Sequence, residues 1–196
     1  MSIYVRPVRE QIEHDRVIRH LQSKLKRKFD VAMNVGPEQF SAAVRAGTQV
    51  LYPDLVLATG GKRLEAVIEV ETGESVHHLE AMAQWAPFGR LKVPFHLYVP
   101  AASADMARRL AADLGAHITE LWSYHAIGDQ VRTTLVEKTT LPAGRGIRAT
   151  IEPPRVVAKP VPPPPPPAPP VPAAPAKPVG AEKPADKTEA KPAPGA

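Results

Sequence analysis

The C-terminal stretch "EPPRVVAKPVPPPPPPAPPVPAAPAKPVGAEKPADKTEAKPAPGA", Glu152 to Ala196, limits what this chain can fold into. It holds most of the chain's 24 prolines and almost no large apolar residue beyond a few Val. Such a segment buries too little surface to offset the entropy of ordering it, so the expectation is a disordered tail with polyproline II character. Of the 196 residues, roughly 150 then remain for one domain with its own core. The expected division is a domain over 1–145 and a Pro/Ala/Lys-rich tail over 146–196. The run Pro162 to Pro167 is a stiff spacer of about 3.1 Å per residue, or a ligand for the aromatic groove of a protein partner.

The chain lacks cysteine, which excludes disulfides and thiolate metal sites. No apolar run approaches the roughly 20 residues of a membrane span. The N-terminal "MSIYVRPVREQIEHDR" carries acids and has no secretory hydrophobic core. The expectation is a cytoplasmic protein without a membrane partner. The formal charge of +5 says little alone; where the positive residues cluster matters more.

From Pro7 to Phe29, Val17, Leu21, Leu25 and Phe29 recur along one helical face, and the same line passes back through His14 and Glu10. The helix ends in Lys24, Lys26, Arg27 and Lys28. These suit either the macrodipole at a helix C-terminus or the phosphates of a nucleic acid. "FDVAMNVG" is a strand candidate; "PEQFSAAVRAG" reads as helical turns or loop, with Gly47 as a C-cap. "YPDLVLA", the turn "TGGK" and "RLEAVIEVE" form a β-hairpin. "GESVHHLEAMAQWA" reads as a helix with Val76, Leu79, Met82, Ala83 and Ala86 inward, ended by Pro87 and Gly89. On that reading His77, Glu80 or Ala81, and Gln84 form a polar stripe facing away from the core.

"KVPFHLYVP" reads as a buried central strand. Ser103 is the expected cap of a helix with Met106, Leu110 and Leu114 inward and Gly115 at its end. "HITELWSYH" and "QVRTTLVEK", joined at Gly128-Asp129, complete the pattern. The order predicts an α/β domain with a mixed sheet flanked by helices.

The hairpin carries the candidate chemistry. Alternation puts Glu65, Val67, Glu69 and Glu71 on one face of the second arm and Ala66, Ile68 and Val70 on the other. Normal pairing brings Asp54 from the first arm close to Glu69 and Glu71. Converging carboxylates repel and call for a hard cation, Mg²⁺ or Mn²⁺. The alternative is a hairpin face turned to water with ordinary solvated acids.

The order "PD", then "EVE", then a helix with "QW" resembles the PD-(D/E)XK nuclease superfamily. "YPDLVL…IEVETGES" is similar to an uncharacterised prokaryotic group placed there. The resemblance covers about Glu10 to Lys138. It implies a restriction-endonuclease-like fold and metal-assisted hydrolysis of phosphodiester bonds in nucleic acid, DNA before RNA. It also implies that Asp54, Glu69 and the carbonyl of Val70 hold Mg²⁺ or Mn²⁺. Gln84 matches the glutamine on the following helix. Glu10 is the candidate helix acid, with His14 one turn on. The departure is Glu71, where the usual motif has lysine. Some restriction enzymes of this superfamily use Glu-x-Glu, so Glu71 is a candidate second-metal ligand or proton acceptor. The same departure supports the alternative of a catalytically inactive nuclease-like module for binding nucleic acid or protein, with the tail as spacer or ligand. Lys62, Arg63 and Lys92 are candidate replacements for the lysine.

The other histidines have plainer readings. His77 and His78 are adjacent and cannot form an i, i+4 zinc pair. His96 reads as a sheet residue, His125 as an exposed one, and Trp85 and Trp122 as packing residues.

Overall fold

A computed structural model describes residues 7–36, 42–128, 130–141 and 146–152. The stretch from 153 onward, including Pro162 to Pro167, lies outside the described residues, as does Asp129 of the expected turn. Helix α1 spans Val8–Leu25. Strands β1 (Asp30–Met33), β2 (Ala43–Ala46), β3 (Gln49–Leu51), β4 (Leu55–Thr59) and β5 (Arg63–Val70) follow. A continuous helical segment comes next: α2 (His78–Glu80), a π-helical turn (Ala81–Trp85) and α3 (Ala86–Phe88). Then come β6 (Phe95–Pro100), a 3₁₀ turn, α4 (Ala104–Asp113), β7 (Glu120–Ile127), β8 (Gln130–Lys138) and β9 (Ala149–Glu152).

Six strands form one mixed sheet in the order β1-β4-β5-β6-β7-β8. β5, β6 and β7 are parallel, and the remaining neighbours are antiparallel. The chain steps twice in the same direction, β5 to β6 to β7. Right-handed crossovers then put both connecting helical segments on one face. Ala81, Trp85, Phe88, Ala107 and Ala111 accordingly pack with Val56, Val67, Leu97 and Val99. Val17, Ile18 and Leu21 of α1 pack with Leu55, Leu57, Ala66, Ile68 and Val70. Alternate residues of β4 and β5 thus fill two separate cores, as the period of two requires.

The structure departs from the sequence pattern at several elements. α1 ends at Leu25 rather than Phe29; residues 26–28 form a turn, while Leu25 and Phe29 still pack on the inner face. Ala43–Ala46 is strand β2, not helix, and Gly47 (φ +61°) sits in the turn to β3. β2 also pairs with β9, giving a three-stranded sheet β3-β2-β9. Residues 146–152 therefore belong to the folded part and not to the tail. Ala149 and Ile151 pack against the core, an alternation hidden by the nearby prolines.

Pro87 does not end its helix. It sits within α3, beside a π turn in which the Ala86 N–H bonds the carbonyl of Ala81, and Gly89 is the C-cap. Ser103 makes no side-chain cap bond, and Met106 is half exposed while Ala104, Ala107 and Ala111 are buried.

Gly89 has an ordinary negative φ but no room for a side chain. A Cβ there would lie 2.5 Å from the backbone nitrogen of His117. Gly89→Ala is expected to lower unfolding stability by about 1–3 kcal/mol through this overpacking, read from urea melts of the two proteins.

Candidate functional site

Asp54 is set in place by its backbone before its carboxylate does anything. The buried Asn34, just after β1, donates its side-chain amide to the carbonyls of Ala42 and Pro53, each at 2.6 Å, and accepts from the Ala42 N–H. The Asn34 N–H donates to the Asp54 carbonyl at 2.9 Å. Pro53 has no N–H to satisfy, which suits it to this junction. The next pair, Leu55 with Ile68, fixes the hairpin register, so Asp54 stands level with Glu69. The hairpin keeps the expected register at its Asp54 end, with a bulge between Leu57 and Ala58 nearer the turn.

The Asp54 carboxylate then turns to the end of β5. Its Oδ2 accepts the Val70 N–H at 2.8 Å and lies 3.1 Å from His14 Nε2. His14 is buried, and its Nδ1 is 3.4 Å from Asp15 Oδ1, which also accepts from Gln11 Nε2 at 2.6 Å. The hydrogen bond from His14 holds the Asp15 carboxyl below the usual range; the bond from Gln11 adds to this, and burial opposes it. Glu10, one turn before His14, accepts from the Thr72 hydroxyl at 2.6 Å. Both helix-borne candidates, Glu10 and His14, are therefore brought to the end of β5.

Glu69 and Glu71 share the β5 face of Val67 and are buried, at 2% and 0% exposure. The water-facing alternative is thereby overturned for these two acids; Glu65, towards the turn, pairs with Arg63 near the surface. Every polar group of Glu71 is in use. Its N–H donates to the Tyr98 carbonyl at 2.8 Å, and its carbonyl accepts from the Tyr124 hydroxyl at 2.8 Å. Oε1 accepts from Trp85 Nε1 at 2.8 Å and Oε2 from the Ser75 hydroxyl. Ser75 Oγ in turn accepts the Thr72 N–H at 2.8 Å, closing the turn after the strand. Glu71 thus acts as a structural acid here.

The helical segment over this face is turned differently from the sequence expectation. Leu79 and Met82 are 55% and 50% exposed, whereas Glu80, Ala81 and Trp85 are fully buried. The polar stripe of Glu80 and Gln84 therefore faces inward. The indole bond to Glu71 holds the helix in this rotation, and Ala81 and Phe88 pack beneath it. His77 caps the segment, its Nδ1 accepting the Glu80 N–H at 3.3 Å.

The basic cluster lies elsewhere. Lys24 donates to the Thr133 hydroxyl at 3.2 Å and sits 5.9 Å from the centre of the Trp122 ring, which stacks on Tyr98. Lys26, Arg27 and Lys28 are exposed at the far end of α1. At 1.5 Å of rise per residue, this end is about 18 Å from His14. Lys62 and Arg63 stand at the turn end of the hairpin, and Lys92 is on the surface near Gly146. Arg63 pairs with Glu65 there, and among the described residues no hydrogen bond or ion pair joins any of the three to Asp54, Glu69 or Glu71. His96 faces Glu120 from a neighbouring strand, and burial pushes its imidazole pKa down. His125 is exposed.

Asp54, Val70, Glu10 and His14 thus meet at the end of β5 on its α1 side, and Glu69 stands on the other face beneath the helix that carries Gln84. Asp54 reaches towards the α1 layer and Glu69 towards the helical layer opposite. Among the described residues, no three His, Asp or Glu side chains are grouped to hold one metal ion. No described helix is long and apolar enough to cross a membrane. Asn34, Thr72, Ser75 and Tyr124 were missed from the sequence. The polar turn "ETGES" directly after the strand was the available signal for Thr72 and Ser75. No family model, curated protein or solved structure matches the chain.

Trp85→Phe keeps an aromatic ring in a fully buried position but is smaller, and it removes one donor to a buried carboxylate. Loss of that bond is expected to cost about 1–3 kcal/mol, read as a lower midpoint in chemical denaturation.

Proposed function

We propose that the folded domain is a divalent-metal phosphodiesterase acting on nucleic acid, with a PD-(D/E)XK arrangement on a restriction-endonuclease-like sheet. The observation that carries this reading is the bond from the Val70 N–H to Asp54 Oδ2, 2.8 Å long, which ties the "PD" aspartate to the middle of "EVE". The element order also supports it: a helix across one face, a hairpin, then helix and strand alternating on a parallel half-sheet.

The donors suit a hard cation. Glu69 offers a carboxylate on the side of the helical segment, Asp54 offers one on the α1 side, Val70 offers a carbonyl, and Mg²⁺ or Mn²⁺ is satisfied by a single carboxylate with water and phosphate. Such an ion, when bound, lowers the pKa of a water and offsets phosphate charge. The chain's own residues do the rest. The Val70 amide and His14 hold Asp54. Glu10 and Thr72 close the α1 side, and Glu71 keeps the strand end rigid. Lys24, Lys26, Arg27 and Lys28 would grip a phosphate backbone in a salt-dependent way. They stand about 18 Å along α1 from His14, a distance over which one duplex can reach both. A nucleic-acid substrate is consistent with work in the cytoplasm.

A second reading is favoured by Glu71. Where the motif has lysine, this chain has a carboxylate already engaged by Trp85 and Ser75. A fold of this kind that binds nucleic acid without cutting it would show that pattern, with the Pro-rich tail recruiting a protein partner.

The deciding experiment incubates wild type, Asp54→Asn and Glu69→Gln with labelled single-stranded, duplex and branched DNA and with RNA, in Mn²⁺, Mg²⁺ or chelator. Metal-dependent cleavage lost in both variants is the expected result. Salt-sensitive binding without cleavage would transfer the function to the second reading.

A further inference from the structure

Glu80 breaks the ordinary rules of burial. It is fully buried, and neither carboxylate oxygen has a hydrogen-bond partner. One turn on, the side-chain oxygen of Gln84 is also buried without a partner. Buried carboxylates are normally paired, hydrogen-bonded or bound to a metal. The surrounding sequence makes the arrangement more pointed. Turning the helix by about one residue, roughly 100°, would bury Leu79 and Met82 and release Glu80 to water. The chain instead exposes two large apolar side chains and keeps an acid inside. A π turn begins directly after Glu80, a distortion that frequently marks functional sites. Conflict between local pattern and final structure is expected where function imposes it.

The direction of this face is set by contact. Trp85, on the same inward face, bonds Glu71, which shares its β5 face with Glu69. Glu80 and Gln84 thus point into the layer that receives Glu69. All of these donors are oxygens, and none is sulfur or imidazole. That is the set preferred by Mg²⁺, Mn²⁺ and Ca²⁺.

We propose that Glu80, with Gln84 one turn on, supplies the helix side of a divalent-cation site whose strand side is Glu69. It rests on the proposed function for the cation at Glu69, adds Glu80, which the motif does not include, and gives Gln84 the role of a ligand. Two carboxylates and one amide oxygen would then hold the ion, water completing its shell. Glu71 takes no part, since Trp85 and Ser75 occupy it.

The test uses the full chain, as wild type, Glu80→Gln and Gln84→Leu. Bound Mn²⁺ is counted by electron paramagnetic resonance, and melting temperature is followed in chelator and in excess Mn²⁺. In chelator Glu80→Gln should melt above wild type, because an uncompensated buried acid is gone. In Mn²⁺ the order should reverse, and Mn²⁺ affinity should fall by about tenfold or more in both variants. If Glu80→Gln does not fold, the affinity loss in Gln84→Leu decides. Wild-type Mn²⁺ affinity in the variants, or no Mn²⁺ binding by wild type, overturns the proposal. A reversal of melting order without any nucleic-acid cleavage would sink the phosphodiesterase reading and leave this site standing. Cleavage that needs Asp54 and Glu69 but ignores Glu80, with unchanged Mn²⁺ affinity, would do the opposite.

Discussion

The buried carboxylate of Glu71 is the interaction on which the rest of this site depends. A charge without solvent must be compensated by donors, and here the indole of Trp85 and the hydroxyl of Ser75 meet that need. Each donor fixes a different element. Trp85 sets the rotation of the helical segment over the sheet, and Ser75 folds the turn after β5 back on itself. The backbone of the same residue joins β5 to Tyr98 of β6 and Tyr124 of β7. Glu69 and Val70 immediately before it, and Thr72 immediately after, are positioned as a consequence. A residue that looks like a catalytic departure is therefore the anchor of the site, and a lysine in its place could not accept those hydrogen bonds.

The two layers contribute different chemistry to the same strand end. On the α1 side the network is well satisfied: Asp54 is held by Val70 and His14, Asp15 by His14 and Gln11, and Glu10 by Thr72. Such a network rigidifies a carboxylate and fixes its direction. On the opposite side Glu80 and Gln84 present buried oxygens without hydrogen-bond partners. A satisfied network on one side and unpartnered buried oxygens on the other is the contrast on which the proposed cation site rests.

Much of this was legible in the sequence because period and register are strong constraints. The hairpin, the face shared by Glu69 and Glu71, and the α1 line through Glu10, His14, Val17 and Leu21 all follow from spacing alone. The alternation of β5 between two cores also made a one-residue slip costly, since it would put acids where Ile68 and Val70 now pack. In the segment after β5, Val76 packs inward as its place on the apolar stripe predicts, but Leu79 and Met82 of the same stripe turn outward. The orientation of this segment depends on the Trp85–Glu71 bond, a contact between residues fourteen apart, and on a π turn that shifts the helical period. β2 and β9 were hidden for a related reason. Each is four residues long, and they find each other across more than a hundred positions. Asn34 had no local signal at all; its role appears only when residues 42 and 53 are brought beside it.

The most direct test of the account is anomalous diffraction from crystals of the protein soaked in Mn²⁺. The account predicts a Mn²⁺ peak at a ligand distance of about 2.2 Å from a Glu69 carboxylate oxygen, with Glu71 still bonded to Trp85 and Ser75. A Mn²⁺-soaked crystal with no peak at Glu69, or with the metal on Glu71 and the indole bond broken, would contradict it.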